Sequence, residues 1–132
     1  MQAATPYLWL GPGWYPRLEF GPDNPDATVT AIRERVVSEL GGRFEEYHPN
    51  DPVEGTEYYS IFVGKTWLLL DSKDGRVAQI GADWRDIPLM LRIAALYGAE
   101  RRGWRWPLYW LWQRVVGQCQ DAESGAPASG GM

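Results

Sequence analysis

From Tyr58 to Gly81 the chain reads YYSIFVGKTWLLLDSKDGRVAQIG, three apolar runs separated by two short polar breaks. No other stretch constrains the fold as tightly. Tyr58, Tyr59, Ile61, Phe62 and Val63 are β-branched and aromatic types that fit a pleated, half-buried surface. Gly64-Lys65 supplies a turn position that tolerates positive φ, after which Thr66 to Leu70 resumes the β-rich run. Asp74-Gly75 between apolar runs is the strongest short-range hairpin signal. Val77 and Ile80 do not alternate cleanly, which predicts a bulge or an early strand end near Ala78. The consecutive Leu68, Leu69 and Leu70 predict a central strand covered on both faces.

The flanks must cover this meander. Tyr7 to Leu10 reads as a first strand, confined by Pro6, Pro12 and Pro16 to an edge or an irregular arm, because proline cannot donate to a ladder. Arg17 to Phe20 alternates and reads as a second short strand. Gly11-Pro12-Gly13 is no dinucleotide fingerprint, since no third glycine follows at the required spacing. After the turn at residues 21–25, Asp26 is placed to cap a helix whose stripe is Val29, Ile32, Val36 and Leu40. Gly41-Gly42 ends it, the first glycine in the left-handed cap position. Arg43 to Tyr47 reads as a further strand with Phe44 facing inward. Asp83 or Asp86 caps a second helix, apolar nearly all round, with Pro88 tolerated in its first turn. Pro107 opens a third, with Leu108, Leu111, Trp112 and Val115 on its inner face and Trp110 on its outer face. The expected fold is therefore a single α+β domain over residues 1–117. Its antiparallel sheet joins the three-stranded meander 58–81 to one or two N-terminal strands, packed against about three helices (27–40, 87–98 and 107–117). The Ser/Gly/Ala/Pro-rich residues 118–132 read as a disordered tail.

With 132 residues the chain can build one modest core without staples. Its one cysteine, Cys119, excludes an intrachain disulfide framework and a multi-cysteine zinc site. The start MQAATPYLWLGPG lacks a basic n-region and a long apolar core, and no apolar run approaches the ~20 residues of a membrane span. A soluble, cytoplasmic protein is the expectation. The net charge of −4 hides an asymmetry: residues 1–60 carry four Arg against ten Asp/Glu, residues 61–132 nine Lys/Arg against seven Asp/Glu. Such poles speak of partners and association rates. Eight tryptophans are the compositional oddity, and most should fill the core and its rim.

The catalytic inventory is poor. His48 is the only histidine, so any Ser-His-Asp, Cys-His or His-based metal site must use it. The carboxylates around it, Glu45, Glu46, Asp51, Glu54 and Glu57, match no ligand-loop spacing and read as a solvated acidic loop. Cys119 lies at the edge of the expected tail, a poor place for a catalytic nucleophile. The sequence thus assigns no catalytic residue, metal site or cofactor. A second constellation, Arg101, Arg102, Trp104, Arg105 and Trp106 with Trp110 and Arg114 beyond, interleaves aromatics and arginines. Such a pattern can stack bases, seat a helix at a membrane interface, or serve as a connector folded back on the sheet.

The leading functional expectation is a non-enzymatic protein-binding domain, of the immunity or inhibitor type, that neutralises a basic protein partner. It would bind through the acidic set Glu45, Glu46, His48, Asp51, Glu54 and Glu57, or through the aromatic and basic set Arg101 to Arg114. One alternative is an enzymatic or ligand-binding domain with an aromatic pocket between sheet and helices, lined by Trp67, Trp84 or Tyr97. Another is contact with a membrane surface or a nucleic acid through residues 101–114, the acidic chain counting against nucleic acid. A homodimer through the apolar second helix would also account for its surplus of leucines.

Overall fold

The computed structural model describes residues 5–124, with side chains placed as far as Val116. Two compact units divide it, one ending at Arg102 and one beginning at Gly103. The first unit is α+β. Its strands are β1 (Tyr7–Leu10), β2 (Pro16–Glu19), β3 (Arg43–Tyr47), β4 (Glu57–Val63), β5 (Thr66–Lys73), β6 (Arg76–Gly81) and β7 (Glu100–Arg102), and its helices are α1 (Val29–Leu40) and α2 (Ile87–Leu96). All seven strands join one sheet in the order β3-β4-β5-β6-β2-β1-β7, antiparallel except for the parallel β1/β7 pair. The expected meander is β4-β5-β6, and the sheet has more strands around it than the sequence foretold.

Turn chemistry sets the meander. Asp74 and Gly75 both take positive φ (53° and 78°), the two-residue hairpin geometry that follows the twist of the strands. At the other hairpin Gly64 alone is positive, at 62°. The register of β5 against β6 slips at Asp71/Ser72, so that Ala78 bulges where the alternation of Val77 and Ile80 fails.

Register also sorts the two faces. Glu46, Tyr59, Leu70, Ile80, Leu18, Leu8 and Arg101 form one transverse row on the same face. Four of its seven members, Leu70, Ile80, Leu18 and Leu8, are 0 % exposed. Each such burial contributes roughly 1.5–3 kcal/mol, so this face holds the core. α2 packs across β1 and β2, and α1 beside β3. The opposite face carries no helix of this unit, and Leu69 on it is only half-buried. Within this unit the helices lie on the Leu68 and Leu70 side of the run, and β5 is central in the sheet, as expected.

At α1 the capping residue differs from the one expected. α1 begins two positions past the expected start, because Thr28 rather than Asp26 accepts from the Ala31 N–H (3.1 Å). Asp26 instead donates its backbone N–H to Asn24 Oδ1 (2.9 Å), within the preceding turn. Gly41 closes α1 in the left-handed conformation, as expected. Gly42 is needed for space: a Cβ there would lie 2.6 Å from Val36 Cγ1. α2 buries Ile87, Leu89, Met90, Ile93 and Ala94 and leaves Pro88, Arg92 and Ala95 exposed, so the core itself absorbs most of its apolar surplus.

β1 and β2 are interior strands, not an edge or an irregular arm. Their prolines stand where no ladder N–H is required: Pro16 opens β2, and the Pro6 carbonyl, just before β1, accepts from the Glu100 N–H (3.0 Å).

The second unit is α3 (Arg105–Ser124). It starts before Pro107 and its backbone continues past residue 117, so the part of the expected tail at 118–124 is helical; residues 125–132 lie outside the described residues. The face expected inside is outside: Leu108, Leu111, Trp112 and Val115 are exposed, whereas Trp106 and Tyr109 are buried. The helix carries two apolar stripes of similar period, and the one with the larger aromatic area is the buried one. No helix among the described residues is long and apolar enough to cross a membrane.

Candidate functional site

The acidic residues lie at the β3 edge of the sheet, divided by the pleat. Glu46 and Glu57 fall on the helix-covered face on either side of Tyr59, and burial together with these two carboxylates pushes the Tyr59 hydroxyl pKa upward. Glu45 falls on the open face and pairs with Arg43 at 2.7 Å. His48, Asp51 and Glu54 stand exposed in the β3–β4 connection. That connection is held by the Val53 N–H donating to Tyr58 Oη (3.1 Å). The set therefore forms a dispersed acidic border. Among the described residues no three His, Cys, Asp or Glu side chains converge as metal ligands would.

The aromatic and basic residues are divided between the units. Arg101 and Arg102 belong to β7, the other edge of the sheet. Arg102 pairs with Glu100 (3.5 Å) and lies 4.6 Å from the Tyr7 ring centroid. In the second unit, Arg105 lies 4.4 Å from the exposed Trp104 ring centroid. Trp106 is buried and stacks on Trp110 at 6.2 Å; Trp110 is exposed, as the helical wheel predicts, and Arg114 is exposed with it.

A third feature is a groove of about 480 Å³ on the open face, lined by Tyr15, Lys65, Thr66, Trp67, Leu69, Gly81, Ala82, Asp83 and Asp86. Register creates it. Arg17, Gly81 and Leu69 are neighbours in one transverse row, and the missing side chain at Gly81 leaves a depression. A Cβ on Gly81 would meet only the Pro16 carbonyl oxygen, at 3.9 Å. Trp67 of β5 forms one wall and touches Tyr47 of β3 (ring centroids 5.8 Å apart). Tyr15 forms another. A tight turn at Pro12–Trp14 displays it, with Gly13 and Trp14 at φ 78° and 64° and the Gly11 N–H donating to the Tyr15 carbonyl (3.1 Å). The positive φ favours glycine at position 13, and a Cβ there, 2.6 Å from the Tyr15 ring, would displace that exposed ring.

Two carboxylates at the rim differ. Asp83 accepts from the Arg85 N–H and from its guanidinium (3.2 Å each), which lowers its pKa. Asp86 occupies the N-cap of α2 but makes no capping bond, and among the described residues it has no ion pair. Burial pushes its pKa up, the neighbouring Asp83 adds to the rise, and Arg85 opposes it. A shallower depression of about 280 Å³ lies on the other side of Asp86, flanked by Arg85 and Arg92.

Sequence reasoning named Trp67, Trp84 or Tyr97 as lining a pocket between sheet and helices; of these only Trp67 lines this groove, whose strand residues Trp67, Leu69 and Gly81 lie on the sheet face turned away from α1 and α2. It missed Tyr15, Gly81 and Asp86. The Gly-Pro-Gly signal before Tyr15 was visible, but strand register alone brings these residues together. Comparisons with protein-family models, with curated proteins and with solved structures return no match.

Proposed function

We propose that this chain is a small non-enzymatic protein-binding domain that neutralises a basic protein partner, in the manner of an immunity or inhibitor protein. The observation that carries this reading is the acidic edge. β3 ends the sheet, and Glu45, Glu46, Asp51, Glu54 and Glu57 are all exposed along it or its connection to β4. An edge strand offers backbone groups for strand addition, and the carboxylates favour a cationic neighbour and a fast approach. The test is recovery of one tight, basic partner from the native host, followed by association kinetics of a Glu45→Lys/Glu54→Lys double variant that melts like the parent. About a tenfold slower on-rate and a flatter salt dependence are expected. An acidic partner, or unchanged kinetics, would exclude the edge.

A second reading, contact with a membrane surface, is favoured by one feature of α3. Leu108, Leu111, Trp112 and Val115 form an exposed stripe, with Arg105 and Arg114 on the same helix. Salt-sensitive co-sedimentation with anionic vesicles, lost in a Leu111→Glu variant, is the matching result; no sedimentation sinks the reading.

A further inference from the structure

We infer that the groove on the open face of the sheet is a binding site for an organic cation, an alkylammonium or guanidinium group, seated between the Tyr15 and Trp67 rings with Asp86 as its counter-charge. Three independent features converge there. The two rings line the groove and are exposed (54 % and 45 %), and aromatic rings attract cations through their quadrupoles. Asp86 is a half-buried carboxylate that neither a capping bond nor an ion pair compensates among the described residues. Gly81 leaves room for a guest on an otherwise ordinary strand, at a φ that any residue adopts.

The charges of the rim give the proposal a sign. Asp83 is already held by Arg85, so Asp86 is the carboxylate left for a guest, and Lys65 is the one lysine of the lining. A cationic guest is repelled by Lys65, whereas an anionic guest would rely on it. Removing that lysine therefore tightens a cation and loosens an anion. The site does not depend on the acidic β3 edge, so either reading can fail while the other stands.

The test uses the full chain and two probes, N-acetyl-lysine methylamide and its Nζ-acetylated, uncharged counterpart, followed by NMR of the tryptophan indole N–H groups. The charged probe should saturate the Trp67 signal, with the acetylated probe at least tenfold weaker. Asp86→Asn should weaken the charged probe about tenfold, Lys65→Gln should strengthen it two- to threefold, and Gly81→Val should abolish binding. Spermidine in place of the lysine probe separates the sources: preference for the lysine probe points to a side chain of a protein partner, preference for spermidine to a free amine, and both retain the cation site. No saturation, equal affinity for the two lysine probes, or weakening by Lys65→Gln would overturn it. Should Gly81→Val fail to fold, Lys65→Gln on the exposed rim still decides the sign.

Discussion

Arg76 donates one guanidinium nitrogen to the backbone carbonyl of Asn24, at 2.9 Å, and to that of Pro22, at 2.7 Å. The same residue forms an isolated antiparallel bridge with Thr28. On either side of it the Val29 N–H donates to the Gly75 carbonyl (2.9 Å) and the Val77 N–H to the Ala27 carbonyl (2.8 Å). The approach to α1 is thus fastened to the β5–β6 hairpin. Hydrogen bonds from a charged donor contribute about 1.5–3 kcal/mol. Arg76→Met should lower stability by about 2 kcal/mol in urea unfolding, and a loss under about 0.5 kcal/mol would reduce the clamp to a geometric coincidence.

The start of α1 separates two carboxylate or hydroxyl caps that look alike in sequence. Thr28→Ala removes the bond to the Ala31 N–H and should cost about 1 kcal/mol. Asp26→Ala removes no capping bond and should stay within about 0.5 kcal/mol of the parent. Equal losses would move the cap back to Asp26.

Tyr97 carries a buried hydroxyl that has no hydrogen-bond partner among the described residues, under Arg35 and edge-on to Phe20. Burial pushes its pKa up to about 12. Tyr97→Phe removes the orphan and should stabilise the fold by about 1 kcal/mol at neutral pH. The folded pKa lies above the unfolded one, so the folded state holds the proton longer. Stability linked to Tyr97 is intact below about pH 10 and falls as pH rises through about 12. The phenylalanine variant should lack that component of the alkaline loss; identical alkaline profiles would contradict the assignment.

Asp86 follows the same sign at the acid end. Its raised carboxyl pKa means that ionisation costs stability, so its contribution is complete below the ordinary carboxylate range and is lost as pH rises through the raised value. Asp86→Asn should melt higher than the parent at pH 7, with the difference closing as both are acidified. A lower melting temperature at pH 7 would mean that Asp86 stabilises α2 by its charge at the helix N-terminus instead.

Local chemistry was legible where it acts within a few residues. Asp74-Gly75, the bulge at Ala78 and the left-handed cap at Gly41 are each dictated by backbone geometry, and each could be read from neighbouring residues. β7 could not. Glu100-Arg101-Arg102 is wholly charged and exposed, and it is a strand only because β1 offers it parallel partners. The face of α3 was missed because two apolar stripes share one period. Of the groove, only Trp67 could be named, since Tyr15, Gly81 and Asp86 come from segments that meet through tertiary register. The acidic loop and the Arg101-Arg102 pair were both visible as charge, but their placement on opposite margins of one sheet was not.

That placement has an electrical consequence. Glu46 and Arg101 close the two ends of a single transverse row, six strand-to-strand steps apart, or roughly 29 Å at about 4.8 Å per step. Allowing for the Arg43–Glu45 and Arg102–Glu100 pairs, the β3 margin of this unit keeps a negative excess and the β7 margin the charge of Arg101, so the sheet carries a dipole lying across its strands. The formal charge of −4 then says little about how the sheet meets a charged matrix. A charged surface would therefore meet the two margins of the sheet on unequal terms, the β3 margin turning toward a positive one.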